Sequence, residues 1–236
     1  MVSSSPQSHS PPVPRRRQKR LQSGQYCSAR YRVSLGALAN GAGKTTLLRA
    51  LAGGLPVCDG VVELDGQRID KVPVWTRVRE GLAHVPEGRH VFGSMTVKEN
   101  LQVGGLAVPE PASIEQMWEL FPRLLERRDQ FAGTLSGGEQ QQLVVVVARA
   151  LMTGPKVLLI DEMSAGLAPV MVERLVDGLA AIREQGVTVV LVEQAPHMVA
   201  AIVDRAYLLV QGRIVGNGTL DELGGNDALA RVYLGV

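Results

Sequence analysis

Aromatic residues are scarce in this 236-residue chain: three Phe, two Trp and four Tyr, 4% of the total. A core must therefore be built from aliphatic side chains. Cysteine is nearly absent, and Cys27 and Cys58 alone make neither a disulfide framework nor a metal-binding set. They read as ordinary cytoplasmic thiols. Long apolar runs are missing as well. Spanning a bilayer takes roughly 18 apolar residues, whereas the run from Leu143 to Val147 is soon broken by Arg149. The N-terminus lacks the apolar core of a secretion signal, so any link to a membrane is expected to come through a partner. A strong net charge is lacking too, at +2, but the balance is uneven. Residues 1–37 hold seven basic residues and no acid, which leaves 18 basic against 23 acidic residues in the remainder. A mildly acidic body argues against a nucleic-acid binder that works through bulk charge.

What is present divides at about residue 37. The first 25 residues are rich in Ser, Pro, Arg and Gln, a composition that cannot bury enough surface to offset its ordering entropy. Residues 1–37 are therefore read as an atypical, disordered segment, and Tyr31–Ala39 as a poor strand candidate. From residue 38 onward, apolar strands alternate with helical patterns. Strands are expected at 60–66, entering an Asp65-Gly66 turn, at 81–86, 156–160, 187–192, 205–210 and 213–216. Helices are expected from Thr45, over 138–152, over 169–185 and near 195–202. A helical pattern covers 94–134: Val97, Asn100 and Leu101 first, then Ile114, Met117, Trp118, Phe121, Leu124 and Leu125 at three-to-four spacing. This alternation predicts an α/β fold with a mostly parallel sheet.

Three motifs carry the chemistry. Asn40-Gly41-Ala42-Gly43-Lys44-Thr45-Thr46 is the end of a P-loop. Its glycines let backbone N–H groups approach a phosphate, Lys44 places a charge on β/γ oxygens, and the Thr45 hydroxyl is a hard ligand for Mg²⁺. The pattern wants a further glycine six residues before the lysine, where Leu38 stands. Leu135-Ser136-Gly137-Gly138-Glu139 is a glycine turn opening a helix, with a hydroxyl and free N–H groups for a second phosphate contact. Read alone, Ser136 could be only an N-cap. Val157–Ile160 ends in Asp161 and Glu162. A buried strand would deliver both to the C-terminal edge of the sheet, Asp161 to hold Mg²⁺ through water and Glu162 to orient the water that attacks the γ-phosphate.

These motifs, in this order, resemble the nucleotide-binding domains of ABC transporters across roughly residues 38–236. Ala83–Arg89, Gly166-Leu167-Ala168-Pro169, Leu191-Val192-Glu193-Gln194 and Tyr233-Leu234-Gly235 look closest to the LivF type of branched-chain amino acid uptake ATPase. The resemblance implies a P-loop NTPase cassette with a small helical subdomain at about 94–134, and with the first strands of the family degraded or missing. It implies that Glu87 occupies the Q-loop position and Gln194 the switch position at the γ-phosphate. Ser164-Ala165-Gly166-Leu167 would be the D-loop, and Met163 replaces the proline usual after the acidic pair. The Ser136–Gly138 turn and Glu139 would close over ATP on a facing subunit, so the expected state is a homodimer or a heterodimer with a paralogue. Integral membrane permease subunits would be direct partners and a periplasmic or extracellular substrate-binding protein an indirect one, with the chain peripheral on the cytoplasmic face of the inner membrane. The family's adenine-stacking aromatic would fall near Arg15, where none stands. That gap and Leu38 motivate an alternative: an impaired cassette acting as an interaction module.

Overall fold

The computed structural model describes residues 33–37, 42–88, 90–135, 139–163, 169–193 and 199–224; for residues 33–37, 139–141, 169 and 171 it describes the backbone alone. Six strands form one sheet: β1 (Val33–Ala37), β4 (Leu82–Val85), β5 (Val157–Asp161), β6 (Thr188–Glu193), β7 (Arg205–Val210) and β8 (Arg213–Gly218). Their spatial order is β4-β5-β6-β1-β7-β8. All neighbours are parallel except the β7–β8 hairpin. A separate hairpin, β2 (Glu63–Leu64) and β3 (Gln67–Arg68), turns through Asp65 and Gly66, both at positive φ. This is the conformation that selects Asp-Gly in two-residue hairpin loops.

The expectation of a poor strand at Tyr31–Ala39 is overturned. Val33–Ala37 sits inside the sheet, paired with β6 on one side and β7 on the other. A strand clasped on both edges takes its backbone hydrogen bonds from its neighbours, so its own weak propensity matters little. Any strands that precede it would fall in residues 1–32, outside the described residues.

The helices are α1 (Lys44–Ala52), α2 (Val74–Arg79), α3 (Val97–Gly105), α4 (Ile114–Leu120), α5 (Pro122–Glu126), α6 (Glu139–Leu151) and α7 (Pro169–Glu184). The helical block expected at 94–134 is made of α3 to α5 and a 3₁₀ turn at Ala132–Thr134. Its start is written locally: Thr96 and Glu99 form a reciprocal capping box. Helix α2 has no counterpart among the expected elements. Of the helix expected near 195–202, Ala200–Ile202 form a 3₁₀ turn, and 194–198 lie outside the described residues.

Strand alternation sorts the core into two layers. Leu158, Ile160, Val189 and Leu191 face one way and pack with residues of α3, α6 and α7. Leu159, Val190 and Val192 face the other way, toward Leu48 and Ala52 of α1 and Leu64 of the hairpin. On that second side, Arg77 of α2 is buried and donates to the carbonyls of Ala50, Leu51, Asp70 and Val72. It thereby satisfies the open carbonyls at the C-terminal end of α1.

His84 on β4 makes the fold sensitive to acid. Its Nε2 is buried without a hydrogen-bond partner among the described residues. Burial, with Arg49 nearby, lowers its pKa to about 4. Between the unfolded value near 6.5 and that folded value, the unfolded chain binds a proton that the folded one refuses. Stability is therefore lost as pH falls through this window, on the order of 2 kcal/mol by pH 5. Thermal melts of His84→Asn are expected to change less between pH 7 and pH 5 than those of the parent. Equal slopes would show that His84 does not carry the effect.

Candidate active site

Parallel pairing gathers the chemistry on one edge. Ala37 of β1 is level with Glu193 of β6, Asp161 of β5 with Val192, and Val85 of β4 with Ile160. Four strands thus end side by side at one edge of the sheet, the edge where ligands bind in open α/β folds. Helix α1 leaves after β1, the acidic pair ends β5, Glu193 ends β6, and Glu87 lies just past β4.

The described part of the phosphate loop is Ala42 onward; Leu38, Asn40 and Gly41 lie outside the described residues. Gly43 adopts φ 106°, ψ 12°, a left-handed geometry that a side chain would strain. No side chain caps the start of α1, and its first turn carries no acid. The leading N–H groups and the positive end of the helix dipole are thus left to an anionic ligand. Lys44 is the first residue of α1 and only 5% exposed. Thr45 is half-buried and Thr46 exposed.

The Lys44 Nζ lies 3.2 Å from Glu162 Oε1, joining two motifs that are far apart in the chain. Both side chains are largely shielded, at 5% and 10% exposure. Glu162 sits at φ +51°, a left-handed conformation that costs an ordinary residue on the order of 1 kcal/mol or more. Its N–H donates to Val192 O at 2.8 Å, and the next N–H, of Met163, donates to Glu193 Oε1 at 2.8 Å.

Asp161 is 2% exposed, and neither of its carboxylate oxygens has a hydrogen-bond partner among the described residues. Burial pushes its pKa up; the negative charges of Glu162 and Glu87 add to that. The Thr45 hydroxyl works the other way, stabilising the anion without completing a hydrogen bond to it, as does Lys44. A buried carboxylate with open lone pairs, beside a hydroxyl, is a donor set that suits a hard cation. Among the described residues no group of three or more His, Cys, Asp or Glu could hold a metal by itself. Mg²⁺ fits that sparse set, since it is commonly held by one or two protein oxygens with water and phosphate completing its shell.

Of the residues singled out in the sequence, Ala42, Gly43, Lys44, Thr45, Asp161 and Glu162 are brought together here. Glu87 is exposed just beyond β4, its carbonyl 3.1 Å from His90 Nε2. Ser136, Gly137, Gly138, Gln194 and the segment Ser164–Leu167 lie outside the described residues. Glu139 is described only as the backbone start of α6, a short step beyond the buried Leu135.

Two features are not evident from the sequence. One is Glu193, an acid closing an apolar strand as Asp161 does, 1% exposed. The other is a clamp on the loop after Glu87. Arg149 of α6 donates to His90 O at 2.7 Å and stands 4.7 Å from the Phe92 ring centroid. Asn100 is buried and exchanges hydrogen bonds with the Phe92 backbone. The available signal is Asn100 itself, a polar residue on an otherwise apolar helix face.

A sheet of this order, with an uncapped helix start whose lysine meets a carboxylate pair, defines a P-loop ATP-binding cassette. Residues 36–165 match the family described as ABC transporter. The chain is 44% identical over 200 residues to the high-affinity branched-chain amino acid transport ATP-binding protein BraG of Pseudomonas aeruginosa, covering 84% of this chain and 85% of that protein. It is 37% identical over 201 residues to a probable branched-chain amino acid transport ATP-binding protein, LivF, of Archaeoglobus fulgidus, covering 84% of each. Among solved structures, a nucleotide-free ATP-binding cassette from an ABC transporter superposes with a TM-score of 0.73 at 23% identity, over 91% of this chain and 92% of that one. The chain belongs to the ABC transporter family, as an ATP-binding cassette of the ATPase kind. No described helix is long and apolar enough to cross a membrane, and the family's ATP-binding subunits work on separate membrane-embedded ones.

Proposed function

We propose that this chain hydrolyses ATP to drive an importer of branched-chain amino acids. The observation that carries the catalytic part is the 3.2 Å contact between Lys44 and Glu162 beside the buried Asp161. The cargo rests on likeness to the two branched-chain relatives; the cassette itself meets nucleotide and a coupling surface.

In this reading the N–H groups from Asn40 to Thr46 line the β-phosphate, and Lys44 exchanges its partner Glu162 for β/γ oxygens when ATP enters. Thr45 and Asp161 would hold Mg²⁺, which would supply positive charge beside the phosphates. Glu162, released from Lys44, orients a water and takes its proton as the water oxygen attacks the γ-phosphorus. The bond from the γ-phosphorus to the bridging oxygen breaks, and that oxygen leaves with ADP. Gln194 contacts the γ-phosphate, and Glu87 senses it from the loop after β4. Ser136, Gly137, Gly138 and Glu139 close over the nucleotide of a facing subunit, either a second copy or a paralogue. Closure and reopening move the permease subunits, which receive cargo from a substrate-binding protein. The chain works peripherally at the cytoplasmic face of the membrane, from a helical subdomain at about 94–134 and a sheet core. No observation among the described residues favours the impaired-module alternative.

The test is MgATP binding and hydrolysis by the full chain, alone and in vesicles with its permease subunits. Lys44→Ala is expected to weaken ATP binding by roughly 10- to 100-fold, the loss of one to two strong charge-assisted contacts. ATP-driven uptake of leucine is expected in the vesicles. Absence of ATP-dependent dimerisation, even with the permease present, would overturn the proposal.

A further inference from the structure

Orientation of a catalytic carboxylate is decided by the two peptide planes that flank its Cα. At Glu162 those planes are held in a left-handed arrangement, φ +51°, which an L-residue leaves when nothing constrains it. The preceding plane is fixed by the Glu162 N–H on Val192 O, at 2.8 Å. The plane after it is fixed by the Met163 N–H on Glu193 Oε1, also at 2.8 Å. The first bond is main chain to main chain, and any sequence could make it. The second depends on one side chain.

The position of that second bond separates it from sheet stability. The β5–β6 ladder closes with Asp161 opposite Val192. Glu193 lies one residue beyond, level with Ala37 of β1, and its carboxylate reaches past the ladder to the turn. Burying a carboxylate at 1% exposure is costly, and an apolar residue would continue β6 at lower cost. Among the described contacts of Glu193, the one at Met163 bears directly on the geometry of Glu162. Glu162 in turn points its Oε1 at Lys44, 3.2 Å away.

We infer that Glu193 is a positioning residue for ATP hydrolysis: by accepting the Met163 N–H it locks the left-handed turn that aims the Glu162 carboxylate at the phosphate site. The inference rests on the reading of Glu162 as the residue that orients the attacking water. It calls for an oxygen acceptor of glutamate length at position 193 and not for its charge. Glutamine keeps the acceptor at the same reach, aspartate keeps the charge but withdraws the oxygen by one methylene, and alanine removes both.

The experiment compares steady-state MgATP hydrolysis by the full chain and its Glu193→Gln, Glu193→Asp and Glu193→Ala variants, with ATP affinity measured by calorimetry and Glu162→Gln as a control. Glu193→Ala is expected to lower kcat by on the order of 10²-fold, the cost of about 1 Å of misplacement at a reacting group. Its ATP affinity should stay within about threefold of the parent, since the phosphate loop is untouched. Glu193→Gln should recover most of the rate, and Glu193→Asp should stay nearly as slow as Glu193→Ala. If Glu193→Ala does not fold, the order of the other two carries the test. A faster Glu193→Asp than Glu193→Gln would mean that charge matters and would overturn the inference. So would a Glu193→Ala rate within about twofold of the parent, a change too small for a misplaced base. An active Glu162→Gln would instead overturn the underlying reading of Glu162.

Discussion

Glu162→Gln is expected to lower ATP turnover by roughly 10²- to 10⁴-fold, the range for loss of a positioned general base. The substitution changes one atom and leaves the backbone problem as it was: glutamine at 162 is held at φ +51° by the same two hydrogen bonds. ATP binding should survive, because Gly43, Lys44 and the open start of α1 are untouched. It should even tighten slightly, since ATP no longer has to separate Lys44 from a carboxylate 3.2 Å away. The expected result is a long-lived ATP-bound dimer that releases little phosphate, read by size-exclusion chromatography with ATP and by a phosphate-release assay. A variant that still turns over at the parental rate would place the base elsewhere.

Gly104→Ala is expected to give the largest loss of stability per added atom. A methyl group at Gly104 of α3 would sit 2.1 Å from the Arg149 carbonyl oxygen of α6, and 2.9 Å from Arg149 Cγ. Neither neighbour is a free flexible tip. The carbonyl belongs to a helix backbone, and the side chain is committed to His90 O and the face of Phe92. The two helices must therefore separate by more than ~1 Å, or α3 must rotate. Overpacking of this kind costs about 3 kcal/mol or more, against ~1 kcal/mol recovered from the better helix propensity of alanine. A net loss near 2–3 kcal/mol lowers Tm by roughly 5–10 °C in a chain of this size. Function should suffer beyond stability, because α6 starts at Glu139, next in sequence to the Ser136-Gly137-Gly138 motif, and its last turn carries the Arg149 clamp on the loop after Glu87. Thermal melts and turnover at a temperature where both proteins are folded separate the two effects. A Tm within about 1 °C of the parent would show that the α3–α6 contact has slack.

Much of the architecture is legible because it is written locally. The capping box at Thr96 and Glu99, the Asp65-Gly66 turn and the apolar run ending in Asp161 each combine residue type and spacing into one conformation. The elements that differ from expectation are those whose conformation is supplied by neighbours. The strand at Val33–Ala37 is weak by composition and exists because β6 and β7 clasp both its edges. Helix α2 is six residues long, too short for periodicity to mark it, and is held in place by the buried Arg77.

The sequence by itself determined which groups are offered to the proposed nucleotide site: a lysine and a threonine after glycines, an acidic pair after an apolar strand, and a Ser-Gly-Gly run ahead of a helix. It did so because phosphate and cation chemistry accept few side chains, and backbone access requires glycine at fixed offsets. Tertiary structure alone decided that Lys44 meets Glu162, since that contact depends on parallel register between strands more than a hundred residues apart. It also decided that Asp161 is buried with both oxygens open, and that Glu193 holds the turn at Glu162. Those three facts arise where strand ends converge, and a one-dimensional pattern does not record which ends become neighbours.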